Sequence, residues 1–488
     1  MLMDEHLYTA YKAKDDRFDG RFFVGISTTG IYCRSVCRAK LPKAENCTFY
    51  RTAAEAEHAG FRPCLLCRPE LAPGSLVDVP VKVAHRIAKL LEENCGGGQS
   101  LEQLSERLGY TSRHLRRIFS AEYSVSPIQY LQTYRLLLAK SLLTDTDLSV
   151  LDIAMAAGFD SVRRFNDLFK KQYRLSPSGL RKSLPNGQPK SGKITLLLSY
   201  RPPYPFAETL RFFSERAIPG VETVETGAYM RTVCLANTEQ SLVYGWIKIE
   251  NRPEKNALSV TISETLLSVL PQVLAKVRHL FDLYSAPDVI YETLSAMNLI
   301  RPGLCVLGTR LSGSFSSFET AARAILEQQI TVKAARTLTA RLVAAFGTRI
   351  STGIAGLTHV FPSSDNILNL EGTIENRFGS LGIIASRARA VLELARALKN
   401  GELDLEICAN PEAEMEKLKA IKGIGNWTAR YIAMRAMGWS DAFLETDAAV
   451  KKALEPYTGK ELLILAEAWR PWRSYATINL WNSLRTEK

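Results

Sequence analysis

A duplication limits what the middle of this chain can become. Residues 104–127 read LSERLGYTSRHLRRIFSAEYSVSP and residues 153–177 read IAMAAGFDSVRRFNDLFKKQYRLSP. Gly109 matches Gly158, Phe119 matches Phe169, Tyr123 matches Tyr173, and Ser126-Pro127 matches Ser176-Pro177. Each copy gives a short helical run, a Gly-aromatic turn and a second helical run, which is the layout of a helix-turn-helix. Ser100 with Gln103 offers a capping box at the first entry. The second run of each copy is basic, with Arg113, Arg116 and Arg117 in one and Arg163, Arg164, Lys170 and Lys171 in the other. A basic run can be a solvated helix face or a DNA-reading one. Two copies at matched register favour the second, reading successive major grooves.

Tandem copies about fifty residues apart, closed by SPxxY or SPxxL, resemble the DNA-binding domain of AraC-family transcriptional activators. The resemblance implies an all-α domain over residues 76–183 that binds promoter DNA, with RNA polymerase as a partner.

Nine cysteines, an odd number in a chain without an export signal, argue against a disulfide framework. Four of them form two close pairs, Cys33-x-x-x-Cys37 and Cys64-x-x-Cys67, and two such pairs are how a tetrahedral thiolate zinc site is built. Cys47, Cys95, Cys234, Cys305 and Cys408 have no close partner and read as small buried hydrophobes. The local stretches TTGIYCRSVCRAK, ENCTFY and AGFRPCLLCRPE resemble the N-terminal domain of Ada-type methylphosphotriester repair proteins. That likeness covers residues 1–75 and implies a small zinc-bound α+β domain in which Cys33 accepts a methyl group. A methylphosphotriester has lost its charge, so an anionic sulfur can approach it. The thioether product is not regenerated, so the domain acts once. Losing a negative charge beside DNA tightens binding to the polyanion, which gives a damage sensor its switch. The same likeness points to Thr29, Lys40 and Arg62 as DNA-backbone contacts, although the family has arginine where this chain has Lys40.

LPNGQPKSGK, taken as a linker over residues 184–192, mixes Pro, Gly and Lys with few apolar residues. An α+β module follows over 193–284. ITLLLSY, GAYMRTVCL, YGWIKIE and ALSVTIS read as strands, and AETLRFFSERA and ETLLSVLPQVLAKVRHLFDL as helices. This order resembles the N-terminal domain of AlkA-type glycosylases, and no catalytic residue is expected in it. The Tyr and Phe of SYRPPYPF read as packing.

From 285 to 488 the chain reads as all-helical. In LKAIKGIGNWTARYIAMRAMGWSDAFLETD, apolar residues end one helix at Leu418 and Ile421, Gly423-Ile424-Gly425 makes a tight turn, and a second helix follows. Two glycines let backbone N–H groups converge on a phosphate with no Cβ in the way. Ending in Asp447, the stretch resembles the helix-hairpin-helix DNA glycosylases, and among them the AlkA-type 3-methyladenine enzymes. The resemblance implies that Asp447 stabilises the oxocarbenium-like sugar left by a departing base. Relatives that also cut the strand carry a lysine where this chain has Trp427, so base excision without strand cleavage is expected. Trp427, Tyr431 and Trp472 are the candidate base pocket, whose electron-rich faces attract cationic alkylated purines. Core aromatics are the plain alternative. Gln329 occupies the family's duplex-wedging position, and Gly423 and Gly425 the phosphate-binding one.

A net charge of +12 fits a polyanionic partner. No apolar run reaches bilayer length and the N-terminus lacks a signal-peptide core, so a cytoplasmic location is expected; the chain is also expected to be a monomer. No PCHR-type motif occurs, so O6-methylguanine repair is not expected, and no cysteine follows Cys408 to build an iron–sulfur loop. The reading is a multidomain, mainly α protein in which Ada-type and AlkA-type parts are fused, with zinc as cofactor and double-stranded DNA as partner. Two alternatives stay open: a regulator whose C-terminal half binds damaged DNA without turnover, and a protein in which metal and helices are purely structural.

Overall fold

The computed structural model describes residues 2–74, 83–93, 95, 100–183, 194–406 and 410–486. The expected linker and Cys408 lie outside these. The chain splits into two compact units, one of Met1–Pro202, Cys234–Arg278 and Leu283–Ser285, the other of Pro203–Val233, His279–Asp282 and Ala286–Lys488. The division therefore runs through the expected α+β module. Among the described residues, no helix is long and apolar enough to cross a membrane.

The first unit opens with helix Leu2–Ala13 and a four-stranded sheet of β1 (Phe23–Ile26), β2 (Ile31–Arg34), β3 (Cys47–Tyr50) and β4 (Arg62–Pro63). Its order is β3-β1-β2-β4, antiparallel except for the β2–β4 pair. Cys47 is only half-buried because β3 is an edge strand, and Cys234 is likewise half-buried, whereas Cys95 and Cys305 are buried as expected.

Both helix-turn-helix copies are built by the same local chemistry. Thr111 caps Ser112–Tyr123 and Ser161 caps Val162–Tyr173, each side chain accepting a backbone N–H three residues on. Each helix buries three residues at four-residue spacing: Leu115, Phe119 and Tyr123, then Phe165, Phe169 and Tyr173. Each ends in the left-handed region, at Ser124 and Arg174. The capping box at Ser100 and Gln103 is present. The helix Pro127–Asp145 joins the copies, and its 19 residues make it about 28 Å long.

Ionic and polar contacts tie the zinc-type domain to that joining helix. Buried Glu57 accepts from Tyr32 Oη at 3.0 Å and from Thr133 Oγ1 at 2.9 Å. Arg68 forks onto Asp145 at 2.8 and 2.6 Å, and buried Lys140 meets buried Glu70 at 2.5 Å. Strands Ile194–Ser199, Ala257–Ile262 and Leu242–Arg252 complete this unit as an antiparallel set, with helix Leu270–Leu280 following.

Among its described residues, the strands of the second unit are the hairpin of Glu222–Glu225 with Ala228–Ala236, which belongs to this unit as far as Val233, and a two-residue ribbon, Thr348–Arg349 with His359–Val360. Its core gathers Ile325, Leu342, Phe378, Val391, Leu394, Leu418 and Ile432 from six helices. Each such side chain contributes about 1.5–3 kcal/mol on burial. A buried ion network of Arg231 with Glu319 (2.7 Å) and Arg323 with Glu222 (3.3 Å) fastens the hairpin to helix Ser317–Leu326.

Candidate functional site

Three surfaces carry chemistry, and the first is sulfur. Cys33 lies mid-strand in β2 opposite Val24, Cys37 follows in a turn closed by its N–H to Arg34 O, and Cys64 and Cys67 bracket the loop after β4. All four Sγ atoms lie within 4.8 Å of one another. Tetrahedral zinc with Zn–S bonds of about 2.3 Å needs sulfurs about 3.8 Å apart, so the donor set fits that ion. Hydrogen bonding within the cluster, chiefly to Cys33, pulls the Cys37 thiol down. The Arg34 N–H donates to Cys67 Sγ at 3.4 Å, and its guanidinium is paired with Asp19. Such outer contacts orient thiolate ligands. Cys33 is only 2% exposed, while Cys67 is half-buried. Thr29 and Lys40 are exposed nearby in sequence, and half-buried Arg62 pairs with Ile31 in β4.

The second surface is the helix-turn-helix pair. Arg113, Arg116 and Arg117 are exposed on one second helix, and Arg163, Arg164, Lys170 and Lys171 on the other. Arg116 is paired with Glu102 at 3.2 Å.

The third is a cleft of about 360 Å³ in the second unit. Helix Pro411–Ala420 ends at Ile421, Gly423 turns the chain at φ +101°, and Gly425 caps helix Asn426–Arg435. A Cβ on Gly425 would meet nothing within 4 Å, so its backbone is open to a ligand. From this helix Trp427 and Tyr431 enter the cleft, stacked at 5.1 Å and 10°. Asp447 caps helix Ala448–Ala453 and lines the same cleft. Its Oδ1 accepts from the N–H groups of Ala449 and Val450 (3.0 Å each) and from Trp481 Nε1 (2.9 Å). Its Oδ2 accepts from Trp427 Nε1 at 3.0 Å. Two indoles and a helix N-terminus thus hold one carboxylate.

Trp472 does not join them. It is buried edge-on against Tyr475, outside the cleft. Trp481 takes the place by the cleft, 6.4 Å and 41° from Tyr431. Helix Phe206–Arg216 supplies another wall through Phe212 and Arg216, from a module in which no catalytic residue was expected. At the back, Arg435 is buried and donates to Ser312 O at 2.6 Å. Its guanidinium lies 4.5, 5.9 and 5.7 Å from the rings of Phe212, Tyr431 and Trp481. Burial lowers its pKa to about 10, so it stays charged at neutral pH. Gln329 is exposed in the turn before helix Val332–Phe346, at φ +56°.

This chain is 34% identical over 490 residues to the probable bifunctional transcriptional activator/DNA repair enzyme AlkA of Mycobacterium tuberculosis, covering 98% of this chain and 96% of that one. The chain belongs to the bifunctional AlkA family. Four family descriptions match along it: the metal binding domain of Ada (6–70), a helix-turn-helix domain (104–183), the AlkA N-terminal domain (195–316) and the HhH-GPD superfamily of base excision DNA repair proteins (322–461). DNA-3-methyladenine glycosylase 2 of Escherichia coli K12 is 32% identical over 284 residues, 58% of this AlkA-family chain and 95% of that enzyme. The 3-methyladenine DNA glycosylase structure from Archaeoglobus fulgidus matches with TM-score 0.50 at 21% identity, over 60% of this chain and 99% of that one, and so shares the fold. The family therefore joins an Ada-type zinc part to a base-excision part, and its helix-turn-helix and excision domains are its DNA-binding regions.

Proposed function

We propose that this AlkA-family chain answers DNA alkylation twice, accepting methyl groups from phosphotriesters at Cys33 and excising alkylated bases at Asp447. The observation that carries the excision reading is the Asp447 carboxylate held beside three aromatic rings in one cleft. A purine cannot enter between Trp427 and Tyr431, because intercalation needs rings about 7 Å apart and these stand at 5.1 Å. Tyr431 and Trp481, 6.4 Å apart, are also too close for that, so the base lies against an outer aromatic face of the cleft that Asp447 also lines. As the base leaves, the carboxylate faces the growing positive charge on the sugar and orients the attacking water. With Trp427 rather than an amine on that helix, no Schiff base forms and the strand stays intact.

Arg435 changes the account of specificity. At an effective dielectric of about 20, unit charges about 7 Å apart repel by about 2 kcal/mol. That offsets the ~0.5–2 kcal/mol gained by a cationic base on an aromatic face. Selectivity then comes from the lesion: a cationic alkylpurine departs as a neutral base, so its glycosidic bond is weak in any pocket. Several alkylated purines should be accepted.

At the other end, Cys33 Sγ attacks the methyl carbon. An S–C bond forms, the C–O bond breaks with its electrons, and a phosphodiester anion is left. Zinc, when bound by Cys33, Cys37, Cys64 and Cys67, keeps the sulfur a thiolate at neutral pH. The helix-turn-helix pair holds the chain on promoter DNA, where RNA polymerase is the partner of activation, and the chain works as a cytoplasmic monomer. Release of free 3-methyladenine from alkylated duplex by the wild type, lost in Asp447→Asn, tests the excision reading. No release under conditions of DNA binding would leave a damage-sensing regulator.

A further inference from the structure

The turn between helices Ser317–Leu326 and Val332–Phe346 carries two glutamines with opposite surroundings. Gln329 is exposed and held in the left-handed region at φ +56°. A residue with a Cβ stays there only when its neighbours enforce it. Gln328 is tied on both sides. Its Nε2 donates to Gly423 O at 2.9 Å and to Thr428 Oγ1 at 2.9 Å, and its own carbonyl accepts from Arg387. Gly423 belongs to the hairpin, Thr428 to the helix that carries Trp427, and Arg387 to helix Ala385–Lys399. The hairpin is itself seated on that last helix, since a Cβ on Gly423 would sit 3.3 Å from Ala390 Cβ and 3.6 Å from Ser386 O. One side-chain amide therefore closes a triangle between the turn, the hairpin and the helix beneath them.

We infer that Gln328 is a positioning residue for base extrusion. It fixes where Gln329 projects relative to the point at which the hairpin grips the backbone, so that gripping and wedging occur in register. The inference rests on the excision reading. An amide suits the task because one nitrogen offers two N–H donors to two acceptors. Glutamate has the same size but turns an oxygen toward the Gly423 carbonyl, so the brace becomes a repulsion. A brace acts on taking the base out of the stack and not on breaking its bond. Its loss should spare a lesion that is already unpaired.

The experiment compares wild type with Gln328→Glu and Gln328→Ala on one alkylated base, placed either in a duplex or in an unpaired bubble, under single turnover. Fluorescence of 2-aminopurine beside an abasic analogue reports extrusion in parallel. The expected result is a loss of about tenfold on the duplex, a change within about threefold on the bubble, and a lost fluorescence rise. Affinity for undamaged duplex should stay within about twofold, because the hairpin N–H groups remain. Equal loss on both substrates, or none on the duplex, would overturn the brace. If the wild type releases no base from either substrate, the excision reading fails instead. The fluorescence rise, present in wild type and absent in Gln328→Glu, then still judges the coupling.

Discussion

Cys33 and Asp447 are held in contrasting ways. Cys33 lies mid-strand at 2% exposure, its sulfur within 4.8 Å of three others and fixed by a sheet on both sides. Asp447 is half-exposed at the head of a six-residue helix, its oxygens held by four N–H donors. In the function proposed above, the sulfur is consumed when it reacts, so nothing about its setting has to be restored. The carboxylate must end each cycle as it began, and hydrogen bonds from rigid indoles can loosen and re-form. Burial suits the group that reacts once, and a donor-lined cleft suits the one that turns over.

The largest expected effects separate the two centres. Cys33→Ser should abolish methyl uptake from methylated DNA while excision stays within about twofold. Asp447→Asn should slow excision by about two to three orders of magnitude and leave uptake intact. Radiolabel transfer and single-turnover base release measure both. Cys67→Ser belongs in the same series, because Cys67 is the most exposed ligand. Uptake that survives Cys33→Ser and fails in Cys67→Ser would move the nucleophile from Cys33 to Cys67.

Next comes the burial that surrounds Cys33's strand. Burial lifts the Glu57 carboxyl from 4.5 to about 8, against hydrogen bonds from Thr133 and Tyr32 and the charge of Lys140, which lower it. Folded protein therefore binds more protons than unfolded protein between about pH 4.5 and 8, and stability falls as pH rises through that window. Glu57→Gln should match wild type near pH 5 and become the more stable, by about 2–4 kcal/mol, near pH 8. Thermal melts across pH measure this. A wild-type melting temperature that is flat from pH 5 to 8 would mean that the acid is not buried in solution.

How much could be read in advance follows the same contrast. The zinc ligands fall in two short motifs, and the helix-turn-helix core repeats Phe119 and Tyr123 as Phe169 and Tyr173, so local spacing carried both. Trp427 and Asp447 are 20 residues apart within one hairpin motif and were equally visible. Trp481 reaches Asp447 from 34 residues away, and Phe212 lines the same cleft from more than two hundred, so only tertiary packing brings them in. Trp472 and Trp481 are nine positions apart in the same C-terminal stretch. Their separate fates depend on where helix Arg473–Thr486 begins, which hydrophobic periodicity does not fix.

The smallest effect tests that last distinction and the reversible holding of the carboxylate together. Trp481→Phe keeps an aromatic face for stacking but removes the N–H that reaches Oδ1 at 2.9 Å. Hydrogen bonds to a charged group contribute about 1.5–3 kcal/mol, and the helix N–H groups of Ala449 and Val450 still hold the same oxygen. The net loss should therefore sit at the low end, about tenfold in single-turnover excision. Ground-state affinity for an abasic analogue should change little, since the ring remains. Trp472→Phe, edge-on to Tyr475 in the core, should lower the melting temperature slightly and leave the excision rate within about twofold. If the two variants slow excision alike, the indole N–H is not what orients Asp447, and the contrast between a consumed sulfur and a re-set carboxylate loses its structural basis.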